Sequence, residues 1–328
     1  MATGNFFQEV EVPEQKPQGT HGVLFPAVLS PTTNTKFTVF KEAIRVQKPW
    51  LESLLNERGV ILFRGFPVTS PSDFNNVVEA FGFPEAPYVG GQAPRTKVIG
   101  RIYTANESPP DIRIPFHHEM AYVPNFPTKL FFFCEEEPGS GGETPIVLSH
   151  TIYKKMNKRH PEFVARLEEH GLTNKRIIND EDHSSSFTGK GWKSTYMTDD
   201  KNTAEKRAAS LETKLEWMEN GLKVTTGPLA AIRFDERNQR KTWFNNLAIC
   251  KTCPMNGKVD DHDTYVELGN GDLVPDDVKE YILNIMEEEC VVIPWKKGDV
   301  MLVNNMMVLH ARKPLLKPPR SILASLCK

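Results

Sequence analysis

Val291-Val292-Ile293-Pro294-Trp295-Lys296-Lys297-Gly298-Asp299-Val300-Met301-Leu302-Val303 reads as a strand, a turn and a strand, because two short β-branched and apolar runs flank a polar Lys-Lys-Gly-Asp. Upstream, Pro275 opens an acidic helix over residues 275–290. Val60-Ile61-Leu62-Phe63, closed by Arg64-Gly65, is a second buried strand. Before it, Phe40, Ile44, Trp50, Leu51, Leu54 and Leu55 recur at helical spacing, with Pro49 arguing for a break or restart and Gly59 for the end. After it, Ser70-Pro71-Ser72-Asp73 caps a helix carrying Phe74, Val77, Val78 and Phe81.

Residues 129–135 (KLFFFCE) and 144–148 (TPIVL) are strand candidates on either side of Gly139-Ser140-Gly141-Gly142, which suggests an antiparallel ladder. Residues 151–170 and 203–220 are charged and periodic and read as surface helices, with a polar loop over 179–191. Strands at the start, middle and end with helices between them predict one mainly β domain with helical insertions, an α+β chain. The expected organisation is an irregular N-terminal arm over residues 1–35, whose 23–26 segment docks on the body, and a single domain over 36–328 with a helical insert around 151–220.

With 40 Lys plus Arg against 42 Asp plus Glu, the net charge of −2 excludes a generally basic nucleic-acid binder. No apolar run approaches the roughly 18 residues that span a bilayer, and the start lacks a secretory pattern, so a cytoplasmic protein without membrane partners is expected. The five cysteines are too few for a disulfide scaffold. Cys250 and Cys253 form a C-x-x-C whose following Pro254 suggests a loop rather than a zinc or redox motif.

The chemistry concentrates in Ile114-Pro115-Phe116-His117-His118-Glu119-Met120-Ala121-Tyr122, which places two imidazoles and a carboxylate inside an apolar run. Such groups are costly to bury unless paired or bound to a metal. On an extended backbone His117 and Glu119 share a face and His118 takes the other, which suits packing on the far side. The zinc-protease pattern H-E-x-x-H fails, because Tyr122 stands where its second histidine belongs. His310, in Met306-Met307-Val308-Leu309-His310-Ala311-Arg312, is the best third ligand. Two histidines and a carboxylate suit the facial triad of non-haem Fe(II) oxygenases, and zinc would use the same ligands with one open position. Arg320, on the presumed next strand, is placed to clamp a carboxylate cosubstrate.

His117-x-Glu119, Gly141-Gly142-Glu143-Thr144, His310 and Arg320 together resemble the motif set of the taurine dioxygenase family of Fe(II)/2-oxoglutarate-dependent oxygenases. Residues 116–121 and 142–145 are similar to its clavaminate synthase-like branch, which has plant members. The resemblance implies a distorted double-stranded β-helix, or jelly-roll, with His117, Glu119 and His310 as catalytic iron ligands and Thr144 and Arg320 on the distal carboxylate of 2-oxoglutarate. It also implies O2 as second cosubstrate, succinate and CO2 as products, and a ferryl species that hydroxylates, desaturates or cyclises a small-molecule substrate. Asn106 and Trp243 lie in segments similar to those bordering the family's substrate pocket, and Met120, which directly follows the metal pair, is a third candidate. The alternative is a zinc-dependent hydrolase or lyase on the same His/Glu/His ligands.

Overall fold

A computed structural model describes residues 6–18, 22–33, 36–105, 107–182, 188–249, 251–252 and 264–328. The chemistry-bearing part is a stack of four layers. Its centre is two sheets packed face to face without closing into a barrel. The large sheet has eight strands, in the order Phe7–Glu9, Ala27–Pro31, Val60–Phe63, Val300–Asn304, Lys129–Glu136, Ser321–Cys327, Ile102–Thr104 and Lys97–Ile99. The small sheet has three, Ile146–Leu148, Val308–Arg312 and Ile114–His117, all antiparallel.

Period-two alternation explains why the central runs are apolar at every position. Val60, Leu62, Leu130, Phe132, Met301 and Val303 face the small sheet. Ile61, Phe63, Phe131, Phe133, Val300 and Leu302 face outward into a second core, under helices α1 (Phe37–Arg58) and α2 (Pro71–Phe81). A strand buried on both faces has no polar side to show. The small sheet's own outer face, Phe116, Val147, Leu309 and Ala311, packs with residues of α3 (Ser149–Arg159), α4 (Pro161–His170) and, further along the chain, the acidic helix Asp276–Glu289. Between α4 and that helix come the short α5 (Trp192–Tyr196) and α6 (Lys201–Ala209), so the acidic helix is α7. A third, five-stranded sheet, Thr213–Met218, Gly221–Leu229, Leu172–Ile178, Thr264–Leu268 and Lys251–Thr252, stands beside the stack.

Several local expectations are corrected. Val291–Trp295 is no strand: only Val291 pairs, in one bridge to Ile146, before Pro294 withholds a donor and the chain turns. Strands Lys129–Glu136 and Ile146–Leu148 do not pair with each other but lie in different sheets, so the glycine turn is a crossover from one layer to the next. Gly142 is needed there, at φ +67° and with a would-be Cβ only 2.7 Å from the Arg320 Cδ. Pro49 neither breaks nor restarts α1, because Phe40, Ile44, Leu51, Leu54 and Leu55 bury one continuous face whose burial outweighs the lost hydrogen bond. The predicted helix over 203–220 stops at Ala209, and Thr213–Met218 is a strand. Residues 7–31, expected to be irregular, hold four short strands, and Ala27–Pro31 runs parallel to Val60–Phe63 in the large sheet. Cys250 and Cys253 lie outside the described residues.

Candidate metal centre

His117 ends one strand of the small sheet and His310 sits within its neighbour, and the ladder register sets the two residues directly opposite each other. Their rings lie 4.3 Å apart, centroid to centroid. Glu119 follows after the chain has left the strand, and one donor atom from each of His117, Glu119 and His310 falls within 4.8 Å of the others. The His117 Nδ1 donates to the Pro115 carbonyl at 2.8 Å, because a carbonyl only accepts. That places the ring proton on Nδ1 and leaves Nε2 with a free lone pair, the way a backbone carbonyl commonly orients a metal-bound histidine. Burial lowers the pKa of His117 and, more strongly, that of His310, so both imidazoles are neutral and able to ligate. Among the described residues the buried His310 Nδ1 has no hydrogen-bond partner.

Glu119 is held through both its backbone and its carboxylate. Asn305, fully buried, accepts from the Glu119 N–H at 2.9 Å and donates to the carbonyls of Glu119 at 3.0 Å and Pro127 at 2.7 Å. Arg95 Nη2 donates to Glu119 Oε2 at 2.9 Å, in an ion pair with both side chains 7% exposed. Burial opposes the Arg95 charge, yet Glu119 and the Tyr88 phenol hold its pKa above the ordinary arginine value. A buried pair of this kind is favourable only when its remaining atoms are satisfied, and a cation on the triad would use the remaining Glu119 oxygen.

The triad opens into a chamber of about 50 Å³, and Thr144 and Arg320 line it too. The Trp295 indole donates to Thr144 Oγ1 at 3.1 Å. The Arg320 Nε donates to the Gly142 carbonyl at 2.7 Å, which explains the close approach that excludes a side chain at Gly142. Among the described residues Arg320 makes no ion pair. Burial, and then the neighbouring Arg312, push its pKa down to about 10. Arg312 is itself taken up by Ser108 Oγ at 2.8 Å and the Pro109 and Ile112 carbonyls at 2.6 and 2.7 Å. Phe132 and Ile322, from the large sheet, close the chamber's other side.

His118 points away from the chamber. Its Nδ1 meets the Asn305 carbonyl, and its Nε2 lies 2.8 Å from the Trp243 carbonyl and 2.9 Å from Ser149 Oγ. Complete burial outweighs both carbonyls and pushes its pKa down to about 4. Of the residues picked for the substrate pocket, Met120 packs away from the chamber with Val123, Phe126 and Phe244, and Trp243 is buried in the core beneath the small sheet. Neither lines the chamber, and Asn106 lies outside the described residues. Sequence reasoning missed Arg95, Asn305 and Trp295. Asn305 carried a signal, as an amide between an apolar strand and an apolar turn. Arg95 carried none.

A jelly-roll with a His-x-Glu…His cluster between its sheets defines the class of non-haem metal dioxygenases. The family model "Taurine catabolism dioxygenase TauD, TfdA family" matches residues 25–326, and the chain belongs to that family. It is 54% identical over 327 residues to a clavaminate synthase-like protein of the plant Arabidopsis thaliana, across 98% of both chains. Among solved structures it is similar in fold to PvcB, described as an Fe, alpha-ketoglutarate dependent oxygenase from an isonitrile synthetic pathway, with TM-score 0.51, 11% identity and coverage of 97% and 93%. A putative alpha-ketoglutarate-dependent taurine dioxygenase from Burkholderia xenovorans aligns with TM-score 0.51, 13% identity and coverage of 95% and 91%. The chain is thus a dioxygenase of the double-stranded β-helix type. No helix among the described residues is long and apolar enough to cross a membrane.

Proposed function

We propose that the chain is an Fe(II)/2-oxoglutarate-dependent dioxygenase that uses O2 to hydroxylate, desaturate or cyclise a small organic substrate. His117, Glu119 and His310 are its metal ligands, and Thr144 and Arg320 receive the distal carboxylate of 2-oxoglutarate. The observation that carries this reading is Arg320, a largely buried cation without an ion pair among the described residues, in the same small chamber as the His/Glu/His set. A buried, unpaired guanidinium calls for an anion, and a planar donor pair suits a carboxylate.

Bound iron would supply the oxidising chemistry by joining 2-oxoglutarate and O2 on the positions that the three protein ligands leave open. The chain's own residues prepare for it. Pro115 fixes the His117 tautomer, Asn305 sets the Glu119 backbone, and Arg95 occupies one carboxylate oxygen so that the other is left for the metal. Trp295 holds the Thr144 hydroxyl in place, and Phe132 and Ile322 give the chamber an apolar wall.

Anaerobic titration of the metal-free protein with Fe(II) and 2-oxoglutarate tests the reading through the visible charge-transfer band that chelation produces. The band is expected in the wild type and lost in both His117→Ala and Arg320→Ala. Tight metal binding without a band would overturn the cosubstrate assignment and favour water activation by zinc on the same ligands.

A further inference from the structure

A larger cleft lies beside the chamber, and Arg95 forms part of the wall of both. The cleft holds about 890 Å³ against about 50 Å³ for the chamber. Small-molecule sites occupy roughly 300–1,000 Å³, so the cleft has the room for an organic substrate that the chamber lacks. Val89, Met197 and Leu326 give it an apolar wall. Three cations, Arg95, Lys190 and Arg207, also line it.

The three differ in what they already hold. Arg207 Nη1 donates to the Tyr196 and Met197 carbonyls, both at 2.6 Å, and is committed to the fold. Arg95 uses Nη2 on Glu119, but among the described residues its buried Nε and Nη1 have no hydrogen-bond partner. Lys190 makes no ion pair among the described residues; its ammonium lies 4.6 Å from the centroid of the Tyr88 ring. The Arg95 guanidinium stacks on that same ring at 4.9 Å. Two cations thus share one aromatic ring. None of the cleft's three acids, Glu85, Glu107 and Asp182, forms an ion pair with Arg95 or Lys190 among the described residues. Asp182 accepts from the Gly191 N–H and the Ser194 hydroxyl, both at 2.7 Å, and Glu107 accepts from the Thr104 hydroxyl at 2.9 Å. Burial, and next the repulsion from Arg95, lower the Lys190 pKa to about 8, with Asp182 only partly opposing them. Two adjacent cations, one with orphaned donors and one without an ion pair, make a receptor for an anion.

We infer that this cleft is the primary-substrate site and that it takes a carboxylate-bearing organic molecule, with the acid group held by Lys190 and Arg95 beside Tyr88 and the apolar part along Val89, Met197 and Leu326. What is then done to that molecule rests on the dioxygenase reading above. Arg95 contacts Glu119 directly, so one guanidinium would register the substrate's anchored end against the metal. The two carboxylates of the reaction also have separate receptors, Arg320 for the cosubstrate and Lys190 with Arg95 for the substrate.

The test uses matched pairs of probes, phenylacetate with phenylacetamide, 4-phenylbutyrate with 4-phenylbutanamide, and hexanoate with hexanamide. Each is titrated calorimetrically into the full chain, both metal-free and loaded anaerobically with Fe(II) and 2-oxoglutarate. At least one acid is expected to bind roughly tenfold or more tightly than its amide, as one charge-assisted hydrogen bond would give. That preference should fall to near unity in Lys190→Met and return in Lys190→Arg, while the charge-transfer band formed before the acid is added is unchanged in both variants. Equal binding of acids and amides, no binding of any acid, or a preference that survives in Lys190→Met overturns the inference. A preference in the metal-free chain together with no charge-transfer band would sink the dioxygenase reading and leave the acid site standing.

Discussion

His117 and His118 are neighbours in the chain and stand on opposite sides of the same sheet edge, and everything about their chemistry follows from which side they face. On the chamber side, His117 has one nitrogen committed to Pro115 and the other free. On the rear side, His118 has both nitrogens within hydrogen-bonding distance of backbone carbonyls and a third partner in Ser149. Burial makes both rings neutral, so protonation does not separate them. A ligand histidine is one whose fold leaves an acceptor unsatisfied; a structural histidine is one whose partners use up the ring. The same contrast separates Glu119, with one oxygen on Arg95, from a fully paired core carboxylate.

The sharpest way to break this comparison is to exchange the effects of the two sides. His117→Ala or His310→Ala should reduce Fe(II) affinity, measured by equilibrium dialysis, by more than the roughly 10–100-fold that outer partners of a metal site cost. The fold should survive both. His118→Ala should instead cost about 3 kcal/mol of stability in urea unfolding, since it leaves a buried carbonyl without its donor and opens a cavity. A His118 variant that kept its stability but lost its metal would reverse the assignment of the two faces.

Smaller effects sharpen the division within the chamber. Arg320→Met should weaken 2-oxoglutarate binding by roughly thirtyfold, as a lost charge-assisted contact would, with Fe(II) affinity intact. Trp295→Phe removes the donor to Thr144 and should cost about 1 kcal/mol in 2-oxoglutarate binding, a several-fold shift in the titration midpoint. On the rear side, burial lowers His118 to about 4, and burial with Arg240 lowers His150 to about 3, both below their ordinary value of 6.5. The unfolded chain therefore takes up protons first as the pH falls. Stability from keeping these rings neutral is complete above pH 6.5 and drains as the pH drops towards their folded values. The urea midpoint should fall between pH 7 and pH 5, and His150→Gln should flatten that fall; an unchanged slope would show that His150 is not held neutral.

The family motifs were legible because each is local. His117-x-Glu119 is a three-residue pattern at a strand end, and Gly141-Gly142-Glu143-Thr144 is a turn that only glycine enters freely. The substrate side was not legible in the same way. Met120 and Trp243 looked well placed by proximity to motifs, but Met120 has φ +56° and turns into a separate apolar cluster. Trp243 offers its carbonyl to His118 while its ring joins the core. Arg95, far from any motif in the chain, is the residue that touches both the metal ligand and the cleft.

The helices Phe37–Arg58 and Pro71–Phe81 and the strand Val60–Phe63 between them, the apolar runs that had to be buried on both faces and the residue types of the metal triad were legible in the sequence alone, because periodicity, turn chemistry and the cost of burying imidazole and carboxylate act over a few residues. The tertiary structure alone decided that strands Lys129–Glu136 and Ile146–Leu148 belong to different sheets, that His310 stands opposite His117, and that Arg95 rather than a nearer cation meets Glu119. Those choices depend on which layers pack together. Contacts between distant segments leave no period in the chain that forms them.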